Sequence, residues 1–336
     1  MEPDQPLSPE GVAGAPEPVT EAPAPARFAR RDAAFLSEGV VCAGWYYVPS
    51  DLLPGEPRPA IVMAHGYGAV KEMCLDRFAE RFAAAGFVVL LFDFRFTGAS
   101  GGFPRGRLIY YEQHRDLRNA ITWVSLQPEV DRDRIGAWGT SFSGGHVLHL
   151  AAFDRRIRAV VAHAPATNTW ETYFKKLKPK ALAKRAEWLA ATRREEYASG
   201  VVQYFPLVAP EGQACVMPQA EAYQWFTETA KRCAPNWYNQ VTLESLEINA
   251  EYAPVANIRL ISPTPLLMLV AEDDIVTPVE QQRKAFARAG APKRLVELPG
   301  GHFDGYLEPG FESWVQPAVE WFEKYLSPYS RGTGES

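Results

Sequence analysis

The 336-residue chain lacks several features, and each absence closes off a class of function. It has four cysteines (Cys42, Cys74, Cys215 and Cys233), scattered and without a CxxC pair. That spacing gives no zinc ribbon or disulfide framework, and a reduced, cytoplasmic protein is the simplest expectation. No apolar run approaches the roughly 18 residues needed to span a bilayer. The N-terminus has neither a basic start nor an apolar stretch, so neither a secretion signal nor a membrane partner is expected. There is no GxGxxG or GxxxxGK[ST] sequence, hence no expected nucleotide cofactor. Basic excess is also missing. Acids number 40 against 35 bases, and five of the acids (Glu2, Asp4, Glu10, Glu17, Glu21) stand in the first 25 residues, which hold no base. The remainder is balanced and offers no electrostatic footprint for nucleic acid.

What is present is 47% hydrophobic and 22% charged, ordinary for a globular protein with a core. Residues 1–27 carry seven prolines among Ala and Glu and read as a flexible tail, because they cannot bury enough surface to offset their ordering entropy. Beyond residue 28 strand and helix signals alternate. Residues 33–48 read as two strands around Ser37-Glu38-Gly39. The apolar runs 59–64, 87–92, 134–139 and 157–164 read as strands buried on both faces. Helical spacing falls at 71–85, 115–127 and 143–153. The alternation stops over 166–262 and resumes with strands at 265–271 and 293–298 and helices at 278–289 and near 314–326. Such repetition implies a mostly parallel sheet with helices on both faces. The division expected is a core of 28–165 and 263–328, a helical cap insertion over 166–262 without a buried strand, and a flexible C-terminus at 329–336. The insertion holds twelve Phe, Trp or Tyr in the 69 residues from Trp170 to Tyr238, denser than the 12% of the whole chain. Some of these rings pack it onto the sheet. Others line an apolar pocket for a small-molecule substrate. Nothing in the sequence fixes the oligomeric state, and a homodimer stays open.

Gly139-Thr-Ser141-Phe-Ser143-Gly-Gly follows an expected strand and opens an expected helix. This is the context of a nucleophile elbow, in which a sharp turn lifts a serine hydroxyl above the sheet. Small residues are needed two before and two after the serine. Gly139 meets this, and Ser143 stands where glycine is usual, either tolerated or adding a hydrogen bond. A serine needs a base, and the base needs an orienting group. Of six histidines, only His302 sits in a loop after a late strand, in Leu298-Pro-Gly-Gly-His302. An acid, Asp273 or Asp274, follows the strand before it. The order Ser, Asp, His matches a strand–elbow–helix site.

With these three segments the chain resembles the α/β-hydrolase superfamily over about residues 33–328. The resemblance implies the α/β-hydrolase fold and an Asp-x-x-x-Pro turn, which selects Asp274 by counting back from Pro278. It also implies that His65-Gly66-Tyr67-Gly68 gives one oxyanion donor, the Tyr67 N–H, and that Phe142 N–H gives the other. The Tyr67 phenol is an alternative donor. His65 is expected to stabilise its loop, and Asp93 and Arg95 to organise theirs. His146 and His149 are three apart on a helix without an acidic or cysteine partner, which favours packing over metal binding. No metal is expected. His163, Trp170 and Tyr173 are candidate substrate contacts. The run Lys175, Lys176, Lys178, Lys180, Lys184 and Arg185 reads as a solvated face or as steering for an anionic thioester.

More narrowly, His-Gly-Tyr-Gly-Ala-Val-Lys-Glu, Gly-Thr-Ser-Phe-Ser-Gly-Gly-His and Pro-Gly-Gly-His-Phe-Asp resemble the dienelactone-hydrolase-like and X-Pro-peptidase-like branch. The expected activity is that of a serine esterase with a Ser141–His302–Asp274 triad. Alternatives are a C–C hydrolase, a polyketide thioester hydrolase or transferase using the same residues, and a non-catalytic ligand-binding protein on the same fold.

Overall fold

The computed structural model describes residues 27–327. The tail expected over 1–27 lies outside them except for Arg27, as does the C-terminal segment 329–336. β1 (Phe28–Ser37) and β2 (Val40–Pro49) form an antiparallel hairpin. They run longer than expected because ten pairs register across them, back to Phe28 against Pro49. Their turn holds both central residues at positive φ, Glu38 at 48° and Gly39 at 81°, the twist a two-residue hairpin needs. There follow β3 (Arg58–Ala64), α1 (Leu75–Ala84), β4 (Val88–Phe92), α2 (Tyr110–Ser125), β5 (Val130–Thr140), α3 (Phe142–Phe153) and β6 (Ile157–His163). α1 starts four residues later than its spacing suggests, because Cys74 takes a left-handed conformation at φ 63°.

Next comes the insertion: α4 (Thr169–Tyr173), α5 (Pro179–Ser199), β7 (Tyr204–Phe205), α6 (Ala220–Cys233), β8 (Val241–Thr242), α7 (Leu243–Ile248) and a 3₁₀ stretch at Pro254–Ile261. β7 and β8 pair antiparallel, and β8 is buried. Two-residue strands carry no readable period, which is why the sequence does not announce them. The chain returns through β9 (Leu266–Ala271), α8 (Val279–Arg288), β10 (Lys293–Leu298) and α9 (Phe311–Leu326).

The eight-stranded sheet has the order β1-β2-β4-β3-β5-β6-β9-β10. β2 is antiparallel to both neighbours and the other pairs are parallel. Alternate side chains divide between two cores. Ile61, Met63, Trp138, Val161 and Leu269 face α1 and α9. Val62, Leu90, Ala137, Val160 and Met268 face α2, α3 and α8, where Ile258 and Ile261 join them. The carboxyl ends of β3, β5, β6, β9 and β10 therefore open on one edge, and short loops from that edge carry the groups described next. No helix among the described residues is long and apolar enough to cross a membrane.

Candidate active site

β5 ends in a forced turn. Ser141 has φ 55° and ψ −116°, outside the comfortable range of an L-residue, and such strain costs about 1–3 kcal/mol. Backbone bonds hold it there: Ser141 N–H donates to the His163 carbonyl at 2.8 Å, and its own carbonyl accepts from Ala166 N–H at 2.8 Å. A Cβ on Gly139 would lie 2.2 Å from the Ser143 carbonyl oxygen, so only glycine fits. Ser143 is more than tolerated. It is fully buried, and its hydroxyl donates to the His65 carbonyl, tying the elbow to the neighbouring loop.

Three side chains expected together do meet. His302 Nε2 lies 3.1 Å from Ser141 Oγ, and His302 Nδ1 lies 2.8 Å from Asp274 Oδ2. With Nδ1 on the carboxylate, the proton belongs there and the Nε2 lone pair faces the serine. Asp274 is held in turn. Its Oδ1 accepts from the N–H groups of Val276 and Thr277 at 2.9 and 2.8 Å, and its Oδ2 from the Thr277 hydroxyl at 2.8 Å and Gln282 Nε2 at 3.2 Å. Asp273 is exposed, and its N–H donates to the Gly300 carbonyl, bracing the acid loop on the histidine loop. Gly300, at φ 99°, and the bond from Gly301 N–H to Asp304 Oδ2 at 2.7 Å shape the turn that presents His302. Thr277 and Gln282 hold Asp274 and do not figure among the residues expected from the sequence. For Thr277 the signal was its place three residues after the acid, inside the same turn.

The His65–Gly68 loop crosses directly over the serine: a Cβ on Gly66 would lie 3.0 Å from Ser141 Cβ. Among the described residues, no protein acceptor takes the N–H of Tyr67 or of Phe142. The Tyr67 ring stands edge-on to Phe142 at 4.9 Å, and its phenol accepts from Asn249 Nδ2 at 3.4 Å. Burial pushes that phenol well above its usual range, so it stays protonated. His65 Nδ1 bonds its own loop at the Gly66 carbonyl, 2.9 Å away, and burial lowers its pKa. Asp93 accepts from Lys71 N–H and Nζ at 2.7 and 2.8 Å, and Arg95 Nε donates to Asp116 at 2.7 Å.

A cavity of about 290 Å³ opens beside Ser141. Tyr67, Phe142, Tyr173, Trp188, Phe205 and Met217 give it an apolar wall. Tyr173, a candidate substrate contact, is part of this wall. Trp170 is not. It is three positions earlier on short α4, nearly half exposed, and its ring leans on Phe174 from outside. His163 is also corrected. Its ring is fully buried under the sheet edge, stacked on Trp314 at 4.3 Å and Tyr306 at 5.2 Å, and it is absent from the cavity wall. Other rings fix the insertion to the core: Trp225 stacks on Phe303 at 4.8 Å, and Phe226 meets Phe303 edge-on at 6.1 Å.

His146 bonds Tyr252 and Gln113 at 2.8 and 2.9 Å, and His149 stacks on His114 at 4.2 Å. Among the described residues no cluster suits a metal ion. The lysines of the 175–184 run are exposed, and Lys175 lies 3.5 Å from Glu171.

Comparison with known proteins shows the family and the fold. The family described as X-Pro dipeptidyl-peptidase (S15 family) matches residues 39–304. The thiohydrolase AneE of Aspergillus aculeatus is 32% identical over 280 residues, covering 80% of this chain and 86% of its own. The quorum-quenching protein AidA of Acinetobacter baumannii is 30% identical, covering 88% and 95%. The crystal structure of the alpha/beta hydrolase GrgF from Penicillium sp. superposes with a TM-score of 0.76 at 26% identity, covering 89% of this chain and 99% of that one.

Proposed function

The chain belongs to the X-Pro dipeptidyl-peptidase (S15) family and has the α/β-hydrolase fold, and from that premise we propose that it is a serine hydrolase of acyl esters and thioesters. The observation that carries this reading is the continuous relay from Ser141 Oγ through His302 to Asp274, at 3.1 and 2.8 Å. His302 removes the Ser141 proton as Oγ attacks the acyl carbonyl. Asp274 holds the tautomer and stabilises the imidazolium. The Tyr67 and Phe142 N–H groups receive the oxyanion, each worth about 2.7–4 kcal/mol. His302 then protonates the leaving alcohol or thiol, and water, activated by the same ring, clears the acyl-enzyme.

The cap, residues 166–262, supplies the aromatic wall for a hydrophobic acyl group. A dipeptidyl-peptidase substrate would bring an α-ammonium, and no carboxylate lines this cavity among the described residues. The wall therefore supports ester and thioester substrates over peptides. Four free cysteines, two of them buried, support a reducing compartment.

A fluorophosphonate probe should label the wild-type protein at Ser141, and Ser141→Ala should lose both label and turnover of p-nitrophenyl and thioester substrates. A Ser141→Ala protein that turns over at the wild-type rate overturns the assignment. Unlabelled, inactive wild type would mark a ligand-binding protein. An acylated acceptor in place of free acid would mark acyl transfer.

A further inference from the structure

The wall of the cavity beside Ser141 contains one formally charged residue, Arg185, among the described residues. It projects from α5, the long exposed helix of the insertion. Its guanidinium lies over the ring of Phe174, 4.4 Å from the centroid, and its Nη2 donates to the Leu246 carbonyl at 2.8 Å. Phe174 and Leu246 line the same cavity. Guanidinium is a five-donor group that stays charged in proteins. Here one protein bond is made, and no carboxylate among the described residues lies within ion-pair distance. Glu247 is the acid whose field reaches Arg185, but its carboxylate is bonded by Arg193 on the outer surface. Burial works against the charge. A carbonyl cap alone needs no charge, and a neutral amide would serve it. Arg185 is half-buried, standing between this cavity and an open outer cleft lined by Glu247 and Glu251. A cation with open donors at the edge of an apolar wall is what recognition of an anionic oxygen requires.

We propose that Arg185 is a specificity-determining residue that holds a carboxylate at the end of the acyl group remote from the carbonyl Ser141 attacks. The inference rests on the serine-hydrolase reading above and names its substrate class: half-esters or half-thioesters of dicarboxylic acids, with the chain between the two ends lying against Tyr173, Trp188 and Phe205. The second carboxylate takes no part in bond making or breaking.

Two substrates of equal length test it, p-nitrophenyl hexanoate and mono-p-nitrophenyl adipate, which differ at the far end by methyl against carboxylate. The wild-type protein should favour the adipate in kcat/KM. Arg185→Gln should cut that preference by about 10-fold, mainly through KM, less than for a fully desolvated charge pair because Arg185 is half-buried. Arg185→Lys should recover part of it, because charge returns without the fork. A phenol-ended ester tells whether a neutral oxygen suffices, and a phenol favoured as strongly as the adipate overturns the carboxylate assignment. If the wild type prefers hexanoate, or if Arg185→Gln lowers both esters together and leaves their ratio intact, Arg185 is structural and the proposal fails. Failure of the hydrolase reading is separable, because calorimetry of monomethyl adipate on the Ser141→Ala protein reads the contact without turnover. Equal affinity for that protein with and without Arg185→Gln also overturns the proposal.

Discussion

Two histidines border the nucleophile in space and do opposite things. His302 and His163 are both almost completely buried, and both come from the carboxyl edge of the sheet. His302 has the Asp274 carboxylate on one nitrogen and the Ser141 hydroxyl on the other. Neither nitrogen of His163 has a hydrogen-bond partner, although its backbone carbonyl accepts from Ser141 N–H. The difference lies in how far each residue has left its strand. His163 is still in β6, two positions after Val161, so alternation points it to the α1 and α9 side, where Trp138, Phe78, Trp314 and Tyr306 enclose it. His302 is four residues past β10, beyond two glycines, and its ring is free to turn over the edge. Burial and edge position do not make a histidine reactive. Partners do, and a loop has to carry the ring to them.

The largest effect that would break this comparison comes from exchanging the roles. His302→Gln should lower kcat/KM for an ester by about 10⁴-fold or more, since a serine without its base retains only the oxyanion site and binding. Its melting point should move little, because Asp274 keeps four protein donors. His163→Phe should leave turnover per folded molecule within about twofold. Steady-state kinetics and thermal melts on the two variants decide it. Loss of turnover in His163→Phe with survival in His302→Gln would reverse the assignment.

The same contrast shows what could be read from the sequence. The strands β3, β4, β5, β6 and β9 are legible because each holds a short apolar stretch; in β5 and β6 that stretch follows charged residues, Arg134 and Arg158. The meeting of Ser141, Asp274 and His302 was legible because each follows a strand and sits in a turn with its own chemistry: Gly139 before the serine, Pro278 after the acid, Gly300 and Gly301 before the histidine. Where a side chain points within a regular element was harder. Trp170 and Tyr173 share the five residues of α4, and only the seating of that helix decides which ring reaches the cavity. Arg185 belongs to a basic run that reads as solvated, and packing on Phe174 alone brings this cation to the cavity wall as well as to the outer surface. For His163 the parity with Val161 is visible in the sequence, and in the fold alternation along β6 outweighs position at the edge.

An intermediate effect sharpens the comparison through pH. Burial in an aromatic box lowers the His163 pKa well below 6.5. The unfolded chain then binds a proton that the folded one refuses, so stability is full above about pH 6.5 and falls as the pH drops below it, by about 1.4 kcal/mol per pH unit for one such group. His65, His114, His146 and His149 are lowered for the same first reason and add to the slope. His163→Phe removes one proton's share. Urea titrations between pH 6.5 and 5 should show a shallower loss of stability in that variant, whatever its absolute stability. An unchanged slope would mean that His163 is already charged in the fold, paired with something its aromatic box does not show.

The smallest effect tests whether one hydrogen bond on the wired edge matters to rate as well as to stability. Ser143 sits where a glycine would suffice for the turn, yet its hydroxyl is spent on the His65 carbonyl, one residue before Gly66 and two before the Tyr67 N–H. Ser143→Ala keeps the size limit set by Gly139 and leaves that buried carbonyl without its donor. Stability should fall by about 1 kcal/mol, the ordinary scale for one such bond. If the bond also aims the Tyr67 N–H, kcat should fall several-fold while KM holds, because an oxyanion donor is worth most in the transition state. A loss of stability with kcat intact would place Ser143 with His163, among the groups that pack the edge without serving its chemistry.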